Sequence, residues 1–196
     1  MKSAVVTTTT WLELRDAALG ATRRGWPVTP GTYLGTDRRW HGHDNTQTLC
    51  PIQDTWWDTP VTDPAQAWDT WTQAPYGVLL VCGHAVAVLD LPITLIGLLT
   101  PTEALFPVVV SAQSRLLAIT KADPKTTLSP RLAQAGVRIY GTSGAPAWVA
   151  LPPTTTGLVL VQRWFTSPTQ DQTRLPHTAW VQQVLLTALR DTTAAQ

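Results

Sequence analysis

The stretch YGVLLVCGHAVAVLDLP, Tyr76 to Pro92, decides how this chain folds. It holds two apolar runs, Val78 to Val81 and Ala85 to Leu89, separated by Cys82-Gly83-His84. Short runs of Val and Leu around a turn predict a hairpin of buried strands. They are apolar enough that helices are expected to cover one face of their sheet.

Working outward, Pro92 to Leu99 predicts a short apolar helix, and Val108 to Val110 with Arg115 to Ile119 a second strand pair around a polar tip. Ser129 to Ala135 reads as a short helix. Val137 to Tyr140, Trp148 to Leu151 and Leu158 to Phe165 read as strands. Leu175 to Arg190 closes the chain as an amphipathic helix with Val181, Val184, Leu185 and Leu189 on one face. Upstream, Thr10 and Glu13 have capping-box spacing, and Trp11, Leu14, Ala18 and Ala21 share one face of the helix that follows, which ends near Gly25. Trp26-Pro27-Val28 predicts an edge strand. Asp63-Pro64 is a helix start, with Asp as cap and Pro at the first helical position. That helix carries Ala67, Trp68 and Trp71.

The organisation expected is a Thr-rich tail over residues 1–10, one domain over 11–191 with a long loop or insert over 33–60, and a tail over 192–196. The order of helices and strands predicts an α/β (α+β) domain: one mixed central sheet flanked by helices, with a small N-terminal lobe. That sheet should hold Val78–Leu89, Val108–Ile119 and Val137–Tyr140 together.

Composition bounds the function loosely. Hydrophobic residues make 44% of the 196 and charged residues 14%, so the chain can bury a core and its polar surface is rich in Thr and Gln. A net charge of +1 is no electrostatic footprint for nucleic acid. Cys50 and Cys82 make neither a disulfide framework nor a usual zinc spacing. No signal-peptide core and no apolar run of membrane-spanning length occurs, so the expectation is a cytoplasmic protein with no membrane partner.

Several segments in order resemble the actinobacterial bifunctional DNA primase/polymerase N-terminal domain, a branch of the archaeo-eukaryotic primases. They are Arg24-Gly25-Trp26-Pro27-Val28-Thr29-Pro30, Trp71 before Tyr76 to Val81, Val88-Leu89-Asp90-Leu91-Pro92, and Trp148 to Thr154. The resemblance covers most of the chain and implies a prim-pol fold. An all-helical fold, or two separate sheets holding the runs above, would sink the family assignment.

The family chemistry is nucleotidyl transfer with two divalent metals. Those metals need clustered carboxylates, and a D-x-D pair supplies two on one face of a strand. The resemblance places Asp90 at the first of these positions and Pro92 at the second, and proline offers no ligand. The family's phosphate-contacting His falls on Leu116, and its further Asp on Arg138. No Asp or Glu lies within 108–118 or 135–148, so a slip of register does not restore the site. Asp90 is therefore expected to be a remnant, satisfied by a nearby Arg or by the helix after Pro92.

Arg115, Arg138 and Arg163 are candidates for nucleotide or phosphate binding if the family fold brings them to the old cleft, since guanidinium groups hold phosphate; equally, they could neutralise Asp90. His41, His43, Asp44 and Cys50 are weak zinc candidates, because His41-Gly42-His43 is not a usual ligand spacing; otherwise they are a polar loop. Among ten tryptophans, Trp40, Trp56 and Trp57 lie in the loop, where they either stack on bases or pin the loop. Trp11, Trp26, Trp68, Trp71, Trp148, Trp164 and Trp180 are expected in the core.

The reading that results is a catalytically degenerate primase/polymerase-like domain without a cofactor. It would bind single-stranded DNA, a nucleotide or a protein partner in DNA maintenance or mobile elements. The alternative is an active nucleotidyltransferase using Mg or Mn at a relocated site of Asp90 with Asp123 or Asp171.

Overall fold

The computed structural model describes residues 11–44, 46–83, 85–99, 106–111, 113–142, 144–157, 160–169 and 174–194. Thr10, His84 and Asp171, and the tail residues 1–10 and 195–196, lie outside them.

Helix α1 is Trp11–Arg23 and α2 is Pro64–Gln73. The cap expected of Asp63 is present: its carboxylate accepts from Ala65 N at 3.2 Å, and Pro64 opens the helix without a wasted N–H. Leu14, Ala18 and Ala21 of α1 face Ala67 and Trp71 of α2 in one core cluster. Trp11, Trp68 and Trp180 differ from expectation, being 44%, 45% and 43% exposed. Each keeps a local role where the contacts are known. Trp11 donates its indole N–H to the Trp71 carbonyl, and the Arg15 guanidinium lies 4.1 Å over the Trp68 ring.

The strands divide between two main sheets. The first has the order β1 (Val28–Gly31), β4 (Gly77–Cys82), β9 (Ala147–Ala150). The second has the order β12 (Arg163–Thr166), β6 (Val108–Val110), β7 (Arg115–Lys121), β5 (Val86–Pro92), β8 (Arg138–Tyr140). Two small ribbons add β2 (Tyr33–Leu34) with β3 (Trp40–His41), and β10 (Thr155–Gly157) with β11 (Leu160–Val161). The α/β class is as expected. The pairing of β4 with β5 is not, and neither is the single mixed sheet: all these ladders are antiparallel.

The reason is edge occupancy. A strand has two hydrogen-bonding edges. Those of β4 are taken by β1 and β9, and those of β5 by β7 and β8. Between them the chain turns at Gly83, whose φ of +117° suits glycine, and Gly83 N donates to Val86 O at 2.8 Å. The β6–β7 pair does form the hairpin expected, closed at its tip by Ser114 N to Ser111 O at 3.0 Å.

The loop over 33–60 contains the β2–β3 ribbon and is tied to the outer edge of β1. Thr32 N donates to Cys50 O at 2.8 Å, Ile52 N to Pro30 O at 3.1 Å and Val28 N to Val61 O at 2.9 Å. This covers an edge that would otherwise present free backbone groups. Trp40, Trp56 and Trp57 are half-buried in it, and Trp57 packs against Gly83.

Period-two alternation sorts the five-stranded sheet into two faces. Val86, Val88, Leu117, Ile119 and Val109 join β4 and α1 in the first core cluster. Leu89, Leu91, Leu116, Ala118 and Val108 join Leu132 and helix α4 (Thr178–Ala194) in a second. Helix α3 (Pro130–Gln134) and a 3-10 helix, Ile93–Leu98, complete that side. Val181 and Leu185 of α4 are fully buried, as its spacing predicted. The helix runs to Ala194, past the boundary expected at 191.

Candidate functional site: the Asp90 cleft

Asp90 continues the Val86–Val88 stripe of β5, and is the charged end of an otherwise apolar face. It is 4% exposed. Burying a carboxylate requires partners, and the neighbouring strands supply them. Arg115 sits opposite Pro92, one diagonal step from Asp90, and its Nε donates to Asp90 Oδ1 at 2.5 Å. Its Nη2 donates to the Asp90 carbonyl and to the Gly136 carbonyl, each at 3.0 Å. Tyr140, opposite Val88 on β8, donates its hydroxyl to Asp90 Oδ2 at 3.2 Å. Both carboxylate oxygens are thus engaged. Burial, then the Asp90 charge, pushes the Tyr140 phenol above its ordinary value, against an opposing hydrogen bond from Arg138.

A cavity of about 220 Å³ opens beside this network. Its polar lining is Asp90, Ser111, Gln113, Arg115, Tyr140, Thr156 and Gln162; Leu117 and Trp148 are among its apolar walls. Ser111 Oγ accepts from Gln113 N and Arg115 N, both at 3.3 Å, which fixes the β6–β7 turn at the cavity mouth. Gln162 is 6% exposed, and its Oε1 has no hydrogen-bond partner. A buried amide oxygen without a donor costs about 1–3 kcal/mol, so this side chain is a strained element of the cavity wall. Arg115 spends three donors on Asp90 and Gly136, and the two on Nη1 stay uncommitted.

The other candidate residues are placed as follows. Arg138 lies directly opposite Asp90 on β8, exposed, with its guanidinium on the Tyr140 hydroxyl. Leu116 is buried on the opposite face, in the second cluster, and Pro92 pairs with Arg115. Arg163 is paired with Val110 and shares that opposite face, so the three arginines do not converge. Asp123 lies beyond Lys121, which is itself four residues or ~13 Å along β7 from the Asp90 level. Its Oδ1 accepts from Lys125 N at 2.9 Å. His41 pairs with Asp37 at 3.0 Å and stacks on Tyr33, His43 contacts the Asp44 carbonyl at 3.1 Å, and Cys50 lies 3.5 Å from Thr46 Oγ1. Among the described residues no three His, Cys, Asp or Glu side chains group as a metal site.

The sequence reading misses Tyr140 and Gln162 as site residues. Gln162 leaves a trace: a lone amide inside the apolar run Leu158 to Phe165. Tyr140 leaves none, since a strand-end tyrosine is ordinary. A larger hollow of about 610 Å³ lies between α1 and the β2–β3 ribbon, lined by Trp11, Tyr33, Asp37 and His41 among others. It contains none of the Asp90 network.

No protein-family model matches the chain, and no curated protein does. Among solved structures, the chain is similar to the polymerase domain of Mycobacterium tuberculosis Ligase D in complex with DNA, at 15% identity and a TM-score of 0.40, over 93% of this chain and 90% of that one. The site is therefore read from its own residues.

Proposed function

We propose that the chain is a primase/polymerase-like domain that has lost nucleotidyl transfer and keeps the Asp90 cleft as a small polar site for a nucleotide or single-stranded DNA. The observation that carries this is the state of Asp90. Two-metal catalysis needs a cluster of carboxylates with free lone pairs. The one carboxylate at the motif position is closed by Arg115 on one oxygen and Tyr140 on the other.

The division of the apolar runs over two sheets is the outcome set above against the family assignment, so the proposal rests on this cleft and on the motif order and not on the sheet arrangement. What the cleft offers a ligand is the Nη1 group of Arg115 and the amide of Gln113. At about 220 Å³ it is smaller than the roughly 300–1,000 Å³ of ordinary ligand pockets. It suits one phosphate or one base edge, with the rest of the ligand outside.

The test is twofold. Primer extension with Mg²⁺ or Mn²⁺ should give no product; incorporation of labelled nucleotide that vanishes in Asp90→Asn would establish the active-enzyme alternative instead. Titration with fluorescent single-stranded DNA and with a nucleoside triphosphate, with and without EDTA, should show binding that needs no divalent ion and weakens with salt. Gln113→Ala/Gln162→Ala should weaken it about tenfold, the loss of ~1.4 kcal/mol. No binding at low salt would leave a protein-interaction role.

A further inference from the structure

A third hollow, about 670 Å³, lies at the other end of β5 and β7, where Val86 pairs with Lys121. It is lined by Arg24, Gly25 and Trp26 after α1, by Ala85 and Val86, and by Lys121, Arg174, Leu175 and His177. Three of these side chains are cationic, one is an imidazole, and none is a carboxylate. Backbone structure holds them together: Lys121 N donates to Pro176 O at 2.8 Å, and a β-bridge joins Lys121 to His177.

Two buried donors here lack acceptors. Arg24 Nε and Trp26 Nε1 are enclosed with no hydrogen-bond partner, although Trp26 is only 2% exposed. Arg24 does place Nη1 on Gly20 O at 2.6 Å and Nη2 on Thr169 O at 3.1 Å. Those carbonyls orient the guanidinium but do not neutralise it. Among the described residues, none of Arg24, Lys121 and Arg174 pairs with a carboxylate. Asp16 lines a smaller adjoining hollow of about 210 Å³, but its near contact is Arg15 Nε at 4.0 Å. A wall of three cations and an imidazole with no carboxylate among its lining residues is suited to receive an anion.

We propose that this hollow is a phosphate-ester binding site, with Arg24, Lys121, Arg174 and His177 as its recognition groups and the buried Trp26 indole behind them as a reporter. Guanidinium and ammonium donors from separate segments around one hollow suit a tetrahedral anion with many acceptor lone pairs better than a planar carboxylate. The volume leaves room for an organic group beside the phosphate. A free nucleotide and a nucleic-acid backbone both supply that chemistry. The site does not depend on the reading of the Asp90 cleft.

The experiment follows the Trp26 indole N–H in a ¹H–¹⁵N spectrum, assigned with Trp26→Phe, at constant ionic strength. Inorganic phosphate, adenosine 5′-monophosphate, adenosine and a short single-stranded oligonucleotide are titrated separately. The resonance should move saturably with the phosphate-bearing probes and stay still with adenosine. Tighter binding of the monophosphate assigns a free nucleotide, and tighter binding of the oligonucleotide a strand. The exposed pair Lys121→Ala/Arg174→Ala should weaken binding at least about tenfold. Absence of a saturable shift with every phosphate probe, an equal response to adenosine, or a response unchanged in Lys121→Ala/Arg174→Ala would overturn the proposal.

Discussion

At the residue scale the protein turns on Asp90, a carboxylate at 6% side-chain exposure whose partner Arg115 is at 22%. A buried pair adds little net stability, but removing one member strands the other. Arg115→Ala should therefore cost about 3–5 kcal/mol in urea unfolding. Asp90→Asn/Arg115→Ala should recover more than half of that loss, since no charge is left unpaired; equal losses in the two variants would show that packing, not charge, is at stake. Tyr140 reports the same network through pH. Its phenol is raised, first by burial and then by Asp90, so the folded state favours the neutral form. That contribution is fully present below the unfolded phenol value of about 10 and is lost as pH rises through the higher folded value. Unfolding midpoints measured from pH ~8 to ~11 should fall less steeply in Tyr140→Phe than in the wild type.

At the scale of elements, the informative feature is the passage from β4 to β5. Sequence alone favours a hairpin there, because the turn signal and both apolar runs are local. The outcome is set by strands far away in the chain, β9 and β7, which occupy the edges that β4 and β5 would have offered each other. The crossing is held by backbone packed on backbone. Gly141 has φ of +86°, and a Cβ there would lie 2.6 Å from Gly83 N and 2.9 Å from Val86 O. Gly141→Ala should cost at least the ~1–2 kcal/mol of a left-handed non-glycine residue, with further loss from displacing the turn. Circular dichroism melts would show it as a lowered midpoint with the fold retained. Gly144→Ala, with φ of +72° and open space around it, should show the backbone cost alone.

At the scale of the whole molecule, the first core cluster links α1, α2, β4 and the Val86–Val88 face of the five-stranded sheet, so the sheets share one interior. Cys82 sits inside it, fully buried, and burial pushes its thiol up to about 12. Cys50 is half-buried in the loop over β1. A thiol-reactive chromophore should therefore label one cysteine in the native protein and two in denaturant, because the nucleophile is the thiolate and Cys82 forms it only once the core opens. Rapid native labelling of Cys82→Ser at one site and none in Cys50→Ser would confirm the assignment; labelling of Cys82 at the rate of Cys50 would mean that the sheets separate easily.

The sequence by itself determined what local chemistry can dictate. The Asp63-Pro64 cap, the buried stripe of α4 and the β6–β7 hairpin follow from side-chain spacing and turn residues within a few positions of each other. Tertiary structure alone decided the rest. Which edges the strands fill, that Arg163 faces away from Asp90, that Tyr140 and Gln162 reach the cleft, and that Arg24 meets Lys121 and Arg174 are matters of register between distant segments. A strand carries equivalent backbone donors on both edges and shows opposite faces at alternate residues. Its own sequence therefore cannot name its partners, and a one-residue change of register exchanges every side chain at the site.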